Sequence, residues 1–386
     1  MHAAGIVAEY NPFHNGHLYH VRQTKKLTEL PVLAVMSGSF MQRGEPAVLN
    51  KWQRASLAIQ GGVDLVLELP CAFALRSAQY FAAGAVQLLN ATGCVTALSC
   101  GTEHPERNFI AAARLAASSK AQEQLRLLIK NGDSYARAWE KILGADNALN
   151  SPNDILALEY TKALSKTNIK PIYIKREDAG YNSTAIADLA SATAIRLALG
   201  QPGTSWQQAV PKATCAALSG AGYDEKLFWQ LLKYRLRTLT PAQIAQCCEC
   251  SEGLENILKA AANAFSLNEA ISLCTRKRYT ASRIRRLFSQ LLLGVPVKAW
   301  HQPEPAYIRV LAFNDTGRSL LKEMKQTAAL PIITKLGKSW QHESNAAFNE
   351  QLQLDLTATD ICSMLQHNKS LNRANNDYLL SPIYIR

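Results

Sequence analysis

The sequence predicts an α/β fold: a parallel sheet with flanking helices over residues 1–200, a mainly helical segment over 201–295 and a small α+β subdomain over 296–386. Three patterns predict it. From Ala3 to about Gly200, short apolar runs alternate with amphipathic stretches, which means βαβ units and a sheet covered on both faces. Beyond Pro202 helical periodicity dominates as far as Leu293. After Pro296 the segments turn short and mixed, with Ala306–Phe313 and Pro331–Thr334 as strand candidates.

Ala3–Ala8 is a short apolar strand and Leu18–Thr28 the helix after it. Pro31–Met36 is a second strand, stopped by Ser37-Gly38. Asn50–Gln60 forms an amphipathic helix ended by Gly61-Gly62, and Asp64–Leu69 is a third strand halted at Pro70. Ser77–Asn90 is helical, and Val95–Cys100 is a strand ending at Gly101. Glu106–Leu143 reads as mainly helical with a break at Asn131-Gly132, Asn153–Ser165 as helix and Lys170–Lys175 as strand. In the helical segment Pro241 opens a helix.

Of the 386 residues 48% are hydrophobic and 19% charged, an ordinary balance for a soluble globular protein of two or three domains. No apolar run reaches membrane-spanning length, and the opening MHAAGIVAEYNPFH lacks a basic stretch ahead of an apolar core. A cytoplasmic protein without membrane contact is expected. Nine scattered cysteines fit free thiols; Cys247, Cys248 and Cys250 match no zinc-knuckle spacing, so no metal site is assigned. The net charge of +12 favours a polyanionic partner.

The strongest chemical signal is His14-Asn15-Gly16-His17, which follows the first strand and opens a helix. A helix start offers amide donors and partial positive charge to a phosphate. Gly16 permits close approach of backbone to ligand. Two imidazoles three residues apart share one side of the first turn, and a protonated imidazole there would stabilise charge developing on an attacked phosphorus. A second stretch, Ser191-Ala192-Thr193-Ala194-Ile195-Arg196, supplies two hydroxyls and a guanidinium suited to a triphosphate; alone it reads equally well as a helix start capped by Ser191.

The HNGH segment resembles the HxGH motif of the nucleotidyltransferase superfamily, with its HUP (Rossmann-like) sheet, and SATAIR resembles that superfamily's SSTxIR form. Met36–Ala55, Gly62–Pro70, Ser151–Tyr160 and Lys175–Ser183 are more narrowly similar to the bacterial tRNA(Met) cytidine acetate ligase family. SEGLENILKAA, KRYTASRIRRL and YIRVLAFNDTG continue the likeness, so that it covers most of the chain. One departure is Ser99-Cys100-Gly101-Thr102-Glu103, where the family usually carries FGSE.

The resemblance implies a two-step ligase. ATP activates acetate as acetyl-adenylate with release of pyrophosphate, and the acetyl group then passes to N4 of the wobble cytidine of elongator tRNA(Met). It places ATP against Val7, Ala8, Glu9, Tyr10, Asn11, Pro12, Phe13, His14, Asn15, Gly16, His17, Leu18, Tyr19 and His20, and against Gly101, Asn153 and Arg176. It makes Ser191, Thr193 and Arg196 candidate phosphate ligands. His14 and His17 are the catalytic candidates, with Lys51, Arg54 and Arg43 as possible helpers. Magnesium is expected to accompany ATP. Nothing in the sequence calls for a protein partner.

The basic charge concentrates at Arg276, Lys277, Arg278, Arg283, Arg285 and Arg286, in a stretch free of acids from Ala270 to Pro303. Ile284, Leu287, Phe288, Leu291 and Leu292 form the buried stripe of a helix, so Arg285 and Arg286 are expected off it, with Tyr279 as an aromatic surface nearby. This stretch is a candidate tRNA-binding surface. Two other readings stay open: a small-molecule adenylyltransferase sharing HxGH, and a non-catalytic RNA-binding protein.

Overall fold

The structure, a computed structural model, describes residues 1–133, 135–144, 151–176, 190–199, 201, 203, 205–250, 253–294, 298–337, 340, 344–369 and 372–386. The block Lys175–Ser183 therefore lies outside the described residues beyond Arg176, and so do the predicted boundary residues Gly200, Pro202 and Pro296.

The strands are β1 (Ala3–Ala8), β2 (Val32–Ser37), β3 (Leu65–Leu69), β4 (Val95–Thr102), β5 (Lys170–Lys175), β6 (Ile308–Phe313), β7 (Ile332–Ile333) and β8 (Ile383–Tyr384). They form one sheet in the order β5-β4-β1-β2-β3-β6-β7, with β8 paired to β6. The first five strands are mutually parallel, and the order reverses between β1 and β4. That reversal opens a crevice at the strands' C-terminal ends, where open α/β sheets bind ligands.

Alternation along the strands supplies two cores. Leu33 and Val35 of β2 share a core with Phe73, Leu88 and Leu89, while Ala34 and Met36 pack with Phe13, Trp52 and Leu57. All of these side chains are buried. Both faces are thus covered by helices, the arrangement a parallel sheet requires.

The predicted elements and the structure differ at several places. β4 runs through Gly101 to Thr102, because Gly101 and Thr102 still pair with Ile174 and Lys175 of β5. The stretch after Glu106 breaks at Ser118 as well as near Gly132, since the Ser118 hydroxyl caps a new helix, Ser119–Lys130. β6 does not stand in a separate subdomain sheet: it pairs antiparallel with β3 and extends the central sheet. Helices Asp315–Thr327 and Ala346–Leu365 also escape the sequence reading. The second buries Gln351, Asp355, Thr359 and Ser363 along with Leu352, Leu354, Ala358 and Cys362, so polarity does not mark its exposed side.

The described residues between 205 and 294 are mainly helical, including Lys212–Ala217, Glu225–Thr238, Pro241–Ile244, Leu254–Ala260, Leu267–Cys274 and Ala281–Leu293. Among the described residues no helix is long and apolar enough to cross a membrane.

Candidate active site

A cavity of about 540 Å³ occupies the crevice between the ends of β1 and β4. Five helices open on it with first-turn residues: Gly16 and His17 of Asn15–Thr28, Ala78 of Ala78–Ala91, Pro152 and Asn153 of Pro152–Leu164, Ala192 and Thr193 of Ala192–Ala198, and Ser282 of Ala281–Leu293. Converging N-termini give the cavity positive potential before any side chain is counted. Arg43, Arg176, Arg196 and Arg286 line it as well, opposed by the carboxylate of Glu9. Such a cavity suits a polyanion.

The two imidazoles cap their own helix. His14 Nδ1 accepts from Gly16 N at 3.0 Å, and His17 Nδ1 accepts from His14 N at 3.2 Å. With both Nδ1 atoms accepting, a neutral ring carries its proton on Nε2. The rings lie 3.7 Å apart at 30°. Burial, then nearby positive charge, pushes His14 down to about 3, and burial then Arg176 takes His20 to about 4; burial, then the charges of His14 and Arg176, holds His17 well below its ordinary value. The imidazoles are thus neutral donors at pH 7, which corrects the expectation of a resident imidazolium. The expectation of free first-turn amides also changes. The Gly16 amide is held by His14 Nδ1 and the His17 amide by the His14 carbonyl at 2.9 Å, leaving the imidazole edges and the arginines to face a ligand.

Other cavity groups are held from behind. Arg196 Nη1 donates to the Asn11 carbonyl at 2.8 Å, tying SATAIR to the turn after β1. Ser191 caps its helix by accepting from Ala194 N at 3.2 Å and still borders the cavity. Asn153 Nδ2 donates to Glu103 at 2.6 Å, which leaves its carbonyl for an incoming donor. Buried Asp154 anchors that helix start through Thr102, His104 at 2.7 Å and Arg107 at 2.9 Å. Burial opposes its charge, but these partners hold its carboxyl below the usual range. Gly101 faces Arg176, and a Cβ there would sit 3.2 Å from Arg176 Cγ, so the arginine stem would have to give by a few tenths of an ångström. The Tyr10 hydroxyl is buried in the wall with no hydrogen-bond partner among the described residues.

A family model for HIGH nucleotidyl transferases matches residues 1–377. A tRNA(Met) cytidine acetate ligase of Leuconostoc mesenteroides is 40% identical over 401 residues, covering 100% of this chain and 99% of the relative. Another, from Anoxybacillus flavithermus, is 41% identical over 367 residues, with 89% and 91% covered. This chain is a tRNA(Met) cytidine acetate ligase family member. The fold agrees: apo TmcAL of Thermotoga maritima matches with a TM-score of 0.92 at 33% identity over all of both chains. The same enzyme bound with alpha-thio ATP matches at 0.90.

Within this family member, most residues expected at ATP line the one cavity: Val7, Ala8, Glu9, Tyr10, Asn11, His14, Gly16, His17, Tyr19, His20, Gly101, Asn153 and Arg176, with Ser191, Thr193 and Arg196. Pro12, Phe13, Asn15 and Leu18 are not in its lining. Phe13 is fully buried against Gly61, Leu18 packs on the core and Asn15 donates to the Gln208 carbonyl at 2.8 Å. Of the expected helpers only Arg43 reaches the cavity. Lys51 is buried between Glu68 at 2.9 Å and Asp377 at 2.8 Å, and Arg54 is spent on the carbonyls of Glu9, Ser37, Gly38 and Leu49. Both support the loops rather than the ligand.

The basic stretch divides. Arg276 and Lys277 are exposed. Arg286 is buried instead of lying off the stripe, paired with Glu249 at 3.2 Å and bordering the cavity. Tyr279 is buried too, with Arg283 stacked 5.1 Å from its ring centre. Glu249 explains both shifts: its carboxylate meets Arg286 and Arg76 while its carbonyl accepts from Arg283. Sequence reasoning missed Gln42, Phe81, Cys100, Tyr160 and Lys175 in the lining. No local motif marks them. Among the described residues, no group of His, Cys, Asp and Glu is placed to hold a metal ion.

Proposed function

We propose that the protein adenylates acetate with ATP, releasing pyrophosphate, and transfers the acetyl group to N4 of the wobble cytidine of elongator tRNA(Met). The observation that carries this is the meeting of the HNGH and SATAIR helix starts in one cationic cavity at the β1/β4 crevice, in a chain matched end to end by ligases of that name. ATP enters with magnesium as substrate, its phosphates toward His14, His17, Arg176 and Arg196. Acetate is already ionised at neutral pH, so the first step needs no general base. It needs positioning and neutralisation of charge at the α-phosphate. Neutral imidazole Nε2–H donors and guanidinium groups serve that purpose without adding a proton-transfer step. The second step needs the cytosine out of its stack. The sheet for ATP and the helical segment, with Arg276, Lys277 and Arg278, for tRNA belong to this reading, while the chain after 295 returns to the same sheet through β6. A cytoplasmic location follows from the same substrates.

The alternative of a small-molecule adenylyltransferase is disfavoured by the ligase relatives' match to the helical half. Incubation with ATP, labelled acetate and unmodified elongator tRNA(Met), followed by nucleoside mass spectrometry, tests the proposal. N4-acetylcytidine at the wobble position is expected; unmodified tRNA with AMP transferred to a small acceptor would overturn it.

A further inference from the structure

A second cavity, of about 420 Å³, adjoins the first and shares Thr193 and Arg196 with it. The loop after β2 divides them: Gln42 and Arg43 border the first cavity, while Gly44, Glu45 and Pro46 border the second. That loop is firmly seated. Gly44 adopts φ +88, and a Cβ there would overlap the Arg285 backbone. Its carbonyl accepts from Ser289 Oγ at 2.7 Å, and Met41 N donates to the Glu45 carbonyl at 2.8 Å. Glu45 is therefore presented from a fixed backbone.

The chemistry of the second cavity is specific. Tyr223, Phe228, Ile271 and Phe288 give it apolar walls. The Glu45 carboxylate lies between two guanidinium groups, 3.2 Å from Arg196 Nη2 and 4.0 Å from Arg285 Nη1. An acceptor beside a donor, in an apolar slot, complements the edge of cytosine, which offers an N4 amine beside the acceptors N3 and O2. Uracil offers the reverse, a carbonyl at C4 beside an N3 donor, and would set oxygen against the carboxylate. Its volume falls within the ~300–1,000 Å³ of small-ligand sites. Arg196, which also binds the Asn11 carbonyl in the first cavity's wall, makes Glu45 the threshold between the two.

We infer that this second cavity is the acceptor-base pocket: it takes a cytosine swung out of an RNA loop, Glu45 accepting from N4 and Arg285 donating to the N3/O2 side. The inference rests on the ligase reading and names the site of its second substrate. An amine held at Glu45 borders the cavity in which the adenylate would form.

Two variants test it. Asn268 is exposed on the rim of the second cavity and absent from the first. Asn268→Trp should raise KM for an anticodon stem-loop RNA at least ~10-fold, the loss of one good base contact. Acetate-dependent ATP–pyrophosphate exchange should stay at the wild-type level, which also shows that the variant is folded. An unchanged KM overturns the inference. In direct binding, wild type should prefer a stem-loop with wobble cytidine over one with wobble uridine by about 10-fold, and Glu45→Gln should bring the ratio close to one. Equal wild-type affinities, or a preference that survives Glu45→Gln, overturn it. Absence of acetate-dependent exchange in wild type would instead sink the ligase reading, while the binding ratio would still report on the pocket.

Discussion

His17 caps its helix and is the proposed phosphate donor, two roles that differ in magnitude. Its Nδ1 accepts the His14 amide at 3.2 Å as half of a reciprocal helix cap. Losing such a cap costs about 0.5–2 kcal/mol of stability. Its Nε2–H is the proposed donor toward the α-phosphate, and losing one preorganised donor costs about 2.7–4 kcal/mol in the transition state, or ~10²–10³ in rate. His17→Ala should therefore melt only a few degrees lower, at roughly 2–4 °C per kcal/mol for a chain of this size or less. Acetate-dependent ATP–pyrophosphate exchange should fall by ~10²–10³. His17→Asn restores a short acceptor for the His14 amide without restoring the reach of the imidazole. It should recover most of the melting temperature and little of the exchange. The comparison needs a thermal melt and an exchange rate for each protein at one ATP and acetate concentration. Exchange within threefold of wild type in His17→Ala, or exchange recovering in step with stability in His17→Asn, would refute the phosphate role and leave only the cap.

Three further outcomes are expected. The folded-state values of His14, lowered to about 3, and His20, lowered to about 4, lie below the ordinary 6.5. Between those limits the unfolded chain binds protons that the native protein does not, so the histidine contribution destabilises progressively as pH falls below 6.5 and is absent above it. Urea midpoints should drop between pH 7 and 5, and less steeply in His20→Asn; an equal slope in that variant contradicts the assignment. Lys51→Ala strands buried Glu68 and leaves buried Asp377 with Arg309 alone, and should cost about 3–5 kcal/mol of stability with unchanged ATP affinity in the folded protein; a loss of ATP affinity without loss of stability would return Lys51 to the site. Neutralising exposed Arg276 and Lys277 together should reduce the log–log salt slope of tRNA binding by about 1.8, whereas an unchanged slope would move the RNA surface elsewhere.

The local parts of the fold were legible because each strand of the first half is a short apolar run bounded by a turn. β1 and β5 coincide with their expected spans, and Asn50 and Ser77 sit at the helix starts where the sequence places them. What the sequence hid is set by distant pairing. β6 joins β3 across more than two hundred residues, and no local pattern announces it. The same holds for the site. HNGH and SATAIR were visible as motifs, but the meeting of five helix starts and the depression of the histidines come from packing. Arg286 shows the limit most clearly: by periodicity it belongs outside the stripe, and Glu249, on a different segment, draws it in.

The central claim is that the cavity beside His14 and His17 directs attack of acetate on the α-phosphorus of ATP. The direct measurement is product analysis with [α-³²P]ATP, acetate and no tRNA. Labelled acetyl-adenylate or AMP, formed only when acetate is present and matched by pyrophosphate, is the predicted result. Labelled ADP with release of orthophosphate, or AMP that forms equally without acetate, would contradict it.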